Sequence, residues 1–218
     1  PIGVYTIAVT GASDPNYNIT YNTGNLTVTP ATLTVTADNQ TKVYGTANPT
    51  LTISYSGFVN GDTKASLTTK PKAATTATTT SPAGSYPITV SGAVNPNYTF
   101  NYVSGTLTVS PAVLTVTAND QSKIYGANNP TMTVSYSGFV NGDTKSNLTT
   151  QATASTTATA ASPAGTYPIT PAGAASNNYT FNYVNGTLTV NPATLTIVAN
   201  TLAKTYGAPL PTLTLGYS

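Results

Sequence analysis

The stretch LTVTADNQTKVYG, residues 33–45, decides the reading of this chain, because it returns as LTVTANDQSKIYG at 114–126 and as LTIVANTLAKTYG at 195–207. Both intervals are 81 residues. A fixed period marks one supersecondary unit used repeatedly, and it overrides any estimate of domain number from length. Residues 30–110 aligned with 111–191 agree at 56 of 81 positions without an insertion. Tyr44, Tyr125 and Tyr206 hold the register from one side, and Gly3, Gly84 and Gly165 from the other. The chain therefore divides into 1–30, the C-terminal part of a repeat; 31–111 and 112–192, two complete repeats; and 193–218, the N-terminal part of another. A unit of this size can bury a core of its own. Both ends fall inside a unit, and the expectation is a window on a longer array.

Within the opening stretch Leu33, Val35 and Ala37 alternate with Thr34, Thr36 and Asp38, the two-residue period of a strand with one apolar and one wet face. Threonine suits the wet face because its β-branch favours a pleated backbone while its hydroxyl hydrates. After Pro49 a second strand turns Leu51, Ile53 and Tyr55 inward. Asn60-Gly61 adopts positive φ cheaply and reads as a tight turn, with Phe58 plugging the core beside it. Asp62 or Thr63 caps one helical turn through Leu67. Residues 73–80, a low-complexity run of Ala and Thr, read as an exposed strand, with a loop or a glycosylated spacer as alternatives. Residues 86–90 form a further strand, placed at a sheet edge by Pro87, which has no N–H for a ladder. Tyr98, Phe100 and Tyr102 share a phase that points them into the core. After a turn at Ser104-Gly105, Leu107 and Val109 resume the alternation.

Six or seven short strands punctuated by turn signals indicate an all-β protein of tandem small β-sandwich-like domains of 81 residues; a β-grasp-like unit built around the single helical turn is the alternative. Only Ser110-Pro111-Ala112 joins one unit to the next. Proline fixes its own φ and restricts its predecessor, so the joins are expected to be stiff and the array a rod.

Composition narrows the chemistry. Charged residues are 6% of the chain, and Glu, Arg, His, Cys and Trp are all absent, while Thr supplies 47 of 218 residues. Acid–base and nucleophilic catalysis need positioned groups of tuned pKa, and here only Asp, Lys and Tyr remain, so no enzyme, no catalytic residue and no cofactor is expected. A net charge of +2 without arginine leaves no electrostatic footprint for nucleic acid, and no apolar run reaches the length of a membrane span. Without cysteine there are neither disulfides nor thiolate metal sites.

Four candidate chemistries arise from particular residues. Lys42, Lys123 and Lys204 hold one repeat position, where a lysine buried beside an acid could form an isopeptide cross-link to Asn; the simpler reading is a solvated lysine guarding a strand edge. Asn60-Gly61-Asp62 and its copy at 141–143 supply one carboxylate each, too few for the six to eight oxygens calcium takes, so no metal site is assigned. Sequons occur at Asn18, Asn25, Asn39, Asn97, Asn147, Asn178 and Asn185 and are candidates for glycosylation, against the bland reading that an Asn- and Thr-rich chain makes them by chance. The fifteen tyrosines offer a sugar-stacking platform where they stand outside the core phase, as at Tyr5 and Tyr86.

KVYGTANP at 42–49, SYSGFVNGDT at 54–63, GSYPI at 84–88 and NYTFNYVSGTLTV at 97–109 together resemble the MBG domain of the YGX type, found in tandem in large bacterial surface proteins and adhesins. The resemblance covers nearly the whole chain; the third copy departs after Gly207 with Ala208-Pro209-Leu210-Pro211. It implies a repetitive, adhesin-like protein located outside the cell or on the bacterial surface, and brings no catalytic residues. The expected function is a rigid spacer in an extracellular fibre or adhesin stalk, whose partners are neighbouring repeats of its own chain. One alternative is a glycan- or mucin-binding module, or one for host or surface receptors, with avidity from tandem copies. Another is a self-assembling filament in which other copies complete exposed edges.

Overall fold

A computed structural model describes all 218 residues. It is all-β, with two 3-10 turns and no α-helix. The chain forms two units, Pro1–Ala112 and Val113–Ser218, taken here each by itself.

The first unit opens with an antiparallel pair, β1 (Gly3–Ile7) and β2 (Gly24–Val28). The complete repeat follows as β3 (Ala31–Ala37), β4 (Gln40–Val43), β5 (Ile53–Ser56), β6 (Lys72–Thr75), β7 (Gly84–Ser91), β8 (Tyr98–Val103) and β9 (Gly105–Ser110). These seven strands make two sheets, ordered β5-β3-β8 and β4-β9-β7-β6. β3 runs parallel to β8 and antiparallel to β5, and β9 runs parallel to β4 and antiparallel to β7. Leu33 and Val35 from one sheet meet Ile88 and Leu107 from the other, all four at 0% exposure. Each such burial is worth about 1.5–3 kcal/mol, and this face-to-face contact is what holds the sheets together. The β-grasp alternative falls, because the one helical element, Lys64–Ser66, buries no residue and cannot cover a sheet.

The two sheets are linked by strands that change partners. β3 continues into β4 and β8 into β9, so a parallel pair in one sheet becomes a parallel pair in the other. The expected turn at Ser104-Gly105 is therefore this crossover, not a hairpin. Gly105 is needed there because a Cβ would stand 2.3 Å from the Ala37 carbonyl oxygen. The Asn39 side chain spans the crossing, its Oδ1 accepting from Thr106 N at 2.8 Å.

Other expectations are corrected in detail. β7 lies inside its sheet, not at the edge; Pro87 is tolerated because β6 reaches only as far as Ile88, leaving Pro87 paired on the β9 side alone. The Ala/Thr stretch is a strand only through Thr75, and turns away before Ala77, which is buried. Of the two cap candidates Thr63 wins: its hydroxyl accepts from Ala65 N while Ser66 Oγ accepts from Thr63 N, a reciprocal capping box.

The second unit repeats the plan with β10 (Ala112–Ala118), β11 (Gln121–Ile124), β12 (Val134–Ser137), β13 (Thr153–Thr156), β14 (Gly165–Ala172), β15 (Tyr179–Val184) and β16 (Gly186–Asn191), in sheets ordered β12-β10-β15 and β11-β16-β14-β13. It ends with the antiparallel pair β17 (Ile197–Ala199) and β18 (Leu215–Tyr217). The terminal pairs show what a sheet does without its partner. β1 and β2 hold the register of β7 and β9, yet Ile7 and Leu26 are 50% and 54% exposed where Ile88 and Leu107 are at 0%.

Candidate functional site

The lysine of the repeated Lys-x-Tyr-Gly motif is a backbone tie. β4 alternates so that Lys42 faces in and Val43 out, at 7% and 44% exposure, contrary to the expectation of a solvated edge lysine. Lys42 Nζ donates to Thr46 O at 3.1 Å and to Thr78 O, and Asn48 Nδ2 donates to Ala77 O at 2.6 Å. The turn after β4, where Gly45 has φ 86°, and the loop after β6 converge here. Buried carbonyls need donors, and an ammonium carries three. Lys123 repeats the arrangement with Ala127 O and Thr159 O, and Asn129 with Ala158 O. Lys204 keeps the local bond to Ala208 O alone and is exposed. An isopeptide bond would need an acid beside the lysine, whereas Asp38 and Asp62 are engaged elsewhere.

Asp62 belongs to the tight turn. Asn60 and Gly61 have φ 57° and 78°, and Asp62 N donates back to Val59 O at 3.0 Å. Tyr98, buried as expected, donates from its hydroxyl to Asp62 Oδ2 at 2.8 Å and accepts from Val59 N at 3.1 Å, with its ring edge-on to Phe58. The Val59 N–H favours the phenolate, but burial and the Asp62 carboxylate together outweigh it and raise the Tyr98 pKa. Tyr179 makes the same bonds to Asp143 and Val140. These carboxylates thus brace the turn.

Asp38 and Asn39 act as acceptors, and the second repeat exchanges their identities. Ser54 Oγ donates to Asp38 Oδ1, and Ser135 Oγ donates to Asn119 Oδ1 at 2.6 Å. Likewise Asp120 Oδ1 takes the Thr187 N–H at 2.7 Å, as Asn39 does that of Thr106. The hydroxyls of Ser54 and then Thr52 hold the Asp38 carboxyl below its usual pKa, with burial opposing them.

Six of the seven sequon asparagines are exposed and Asn178 is half-buried. Asn39 bridges the crossover; Asn147 Oδ1 accepts from Thr144 N at 2.8 Å and closes the second capping box; Asn97 Oδ1 accepts from Ile2 N at 3.5 Å. Asn185 lies between β15 and β16, Asn18 between β1 and β2, and Asn25 on β2. The bonds of Asn39, Asn147 and Asn97 use Oδ1 and leave Nδ2, the atom an N-linked glycan would occupy.

The aromatic rings divide. Phe100 is half-buried and Tyr102 is 38% exposed, so the core phase of β8 fades toward its sheet-crossing end, where Tyr102 stacks on Phe100 and accepts from Ala93 N at 2.9 Å. Tyr5, Tyr86 and Tyr167 donate to the carbonyls of Pro1, Pro82 and Pro163, each at 2.9 Å, and fasten the turn before their strands.

One feature carried no mark in the sequence. In the second repeat a cleft of about 500 Å³ opens between the edge strands β12 and β13, lined by Met132, Tyr136, Lys145, Gln151 and Thr153 among others. Tyr136 accepts there from Ala152 N at 2.8 Å. The first-repeat equivalents are Leu51, Tyr55, Lys64, Lys70 and Lys72, with Pro71 in place of Ala152. At this edge Lys70-Pro71-Lys72 of the first repeat is replaced by Gln151-Ala152-Thr153.

The fold and its recurring ties define a tandem-repeat, all-β protein of two-sheet modules. The chain belongs to the MBG domain (YGX type) family, whose description matches residues 33–108 and 114–189. MBG domains are typical of secreted or surface proteins. Among curated proteins none matches the chain.

Proposed function

We propose that this chain is a segment of a bacterial extracellular fibre or adhesin stalk, in which the repeats act as spacers and not as catalysts. One observation carries the reading: Lys42, Asp62 and Tyr98, side chains of the few types available for chemistry, are used to tie backbone and turns together, and the second repeat uses Lys123, Asp143 and Tyr179 in the same way. Such a module works by being copied. The single-proline joins at Pro111 and Pro192 and the near absence of charge support a stiff, inert array, and the family's typical occurrence in secreted or surface proteins supports its place outside the cell.

Small-angle X-ray scattering of the 218-residue chain, and of the same chain lengthened by one further copy of residues 31–111, tests this. The maximum dimension should grow by roughly 30–40 Å per added repeat, from a rise of about 3.3 Å per strand residue plus turns. A dimension that stays constant as the mass rises would rule out the spacer.

A further inference from the structure

The two complete repeats share a frame but not a charge. Residues 30–110 hold four lysines and two aspartates, for a net +2; residues 111–191 hold two of each, for a net 0. The whole surplus of the chain therefore sits in the first repeat, and its location is specific. Lys42 is consumed by backbone carbonyls, while Lys64, Lys70 and Lys72 are exposed. All three occupy positions whose equivalents, Lys145, Gln151 and Thr153, line the cleft between the two edge strands of the second repeat. Lys70 and Lys72 are two residues apart at the β6 edge and so point to one side. None of the residues lining the cleft is acidic, and none of their first-repeat equivalents is either. The acids of the repeat have other partners, Asp38 the hydroxyl of Ser54 at the rim and Asp62 that of Tyr98.

Tyr55 holds the place of Tyr136, as Lys64, Lys70 and Lys72 hold those of the cleft-lining Lys145, Gln151 and Thr153. Its counterpart receives the Ala152 N–H, but Pro71 has no N–H to give, so the Tyr55 hydroxyl is left without that bond. Tyr55 is half-buried and tilted against Phe58, and burial raises its phenol's pKa. A lysine edge alone guards against strand pairing. Three exposed lysines at the positions that frame the cleft, with a tyrosine hydroxyl lacking its counterpart's backbone bond, are in addition suited to a hydroxylated polyanion.

We infer that the β5–β6 edge of the first repeat binds an acidic polysaccharide of the polyuronate class, with Lys64, Lys70 and Lys72 pairing with its carboxylates and Tyr55 hydrogen-bonding its sugar hydroxyls. Lysine is a point charge that needs no fixed bidentate geometry, and so serves a string of carboxylates along a flexible sugar chain whose hydroxyls a tyrosine can bond. The second repeat, with one lysine left at this edge, keeps the frame without the site. The inference does not rest on the spacer reading, since a failed scattering test would leave it standing.

The test uses alginate oligomers as the polyuronate, with neutral dextran and duplex DNA as comparisons, in calorimetric or interferometric titrations at two salt concentrations. The chain should bind alginate in a salt-sensitive manner and ignore dextran. K70Q/K72T installs residues that the second repeat already carries at these positions, so folding is preserved, and it should weaken binding roughly tenfold and flatten the salt dependence. The reciprocal Q151K/A152P/T153K, which also removes the N–H that Tyr136 accepts, should create a second site and raise the stoichiometry from one to two. Unchanged alginate binding in K70Q/K72T, no binding by the parent chain, or equal affinity for DNA would each overturn the assignment.

Discussion

The first and second repeats agree at 56 of 81 positions, and the fully buried residues Leu33, Val35, Ile88 and Leu107 reappear unchanged as Leu114, Val116, Ile169 and Leu188. Differences gather where only one atom of a side chain matters or none does. Asp38-Asn39 becomes Asn119-Asp120 because both positions need an Oδ1 acceptor and either residue supplies one. Lys70-Pro71-Lys72 becomes Gln151-Ala152-Thr153 at an open edge, where the frame tolerates any of them. Comparing two copies in one molecule separates what the fold requires from what a particular repeat has added.

The crossover glycine is where the copies should be most alike. Gly105→Ala and Gly186→Ala each drive a Cβ to 2.3 Å from a carbonyl oxygen, that of Ala37 or Ala118. Each should destabilise its own repeat by about 3 kcal/mol, the upper range for overpacking. Hydrogen exchange resolved by repeat would show protection lost in the mutated copy; an alanine tolerated at either site would break the account of the sheet crossing.

The lysine tie should separate complete repeats from the terminal piece. Lys42→Met leaves two carbonyls without their donor and should cost about 1–3 kcal/mol in denaturant unfolding. Lys204→Met, at an exposed lysine whose bond runs to the local carbonyl of Ala208, should change nothing measurable. Equal effects would mean that the tie does not depend on the closed sandwich.

A smaller contrast lies at the edge cleft. Tyr136→Phe removes the acceptor for Ala152 N and should destabilise the second repeat by about 1 kcal/mol, while Tyr55→Phe, opposite Pro71, should be near neutral. Melting curves of the two variants give the answer, and a reversed order would refute the pairing.

The least effect concerns acid. Asp38 has a folded pKa below its unfolded value, so its contribution is present above the unfolded pKa, near the ordinary 3.8, and fades as pH falls through the lower folded one. Asn119 cannot titrate. The first repeat should therefore lose stability below about pH 4 through this position, and Asp38→Asn should remove that component from the pH profile of unfolding. A profile unaltered by the substitution would show that the Ser54 bond carries no protonation-dependent stability.

Much of this was legible from residues alone. The period gave the unit, the alternation in 33–37 gave an inward face that is buried to the last side chain, and Asn60-Gly61 gave a turn whose two positive φ values follow from the residue types. Where reading failed, it failed on partners. The missing N–H of Pro87 is a local fact that suggests an edge, while the length of β6, which leaves that position unpaired on one side, is not local. The charge of Lys42 suggests exposure, yet the carbonyls of residues 46 and 78 need its ammonium as a donor once the fold brings them together. The edge cleft is illegible for the same reason, its walls being the edge strands of two different sheets, which the sequence does not place side by side.

Sequence by itself therefore determined the repeat, its strands and the side each strand buries, since these depend on the period of apolar residues and on the φ preferences of Gly, Asn and Pro. Tertiary structure alone decided which strands pair, where they change sheets and which polar side chains lie inside, because those outcomes depend on groups that meet only when the two sheets close.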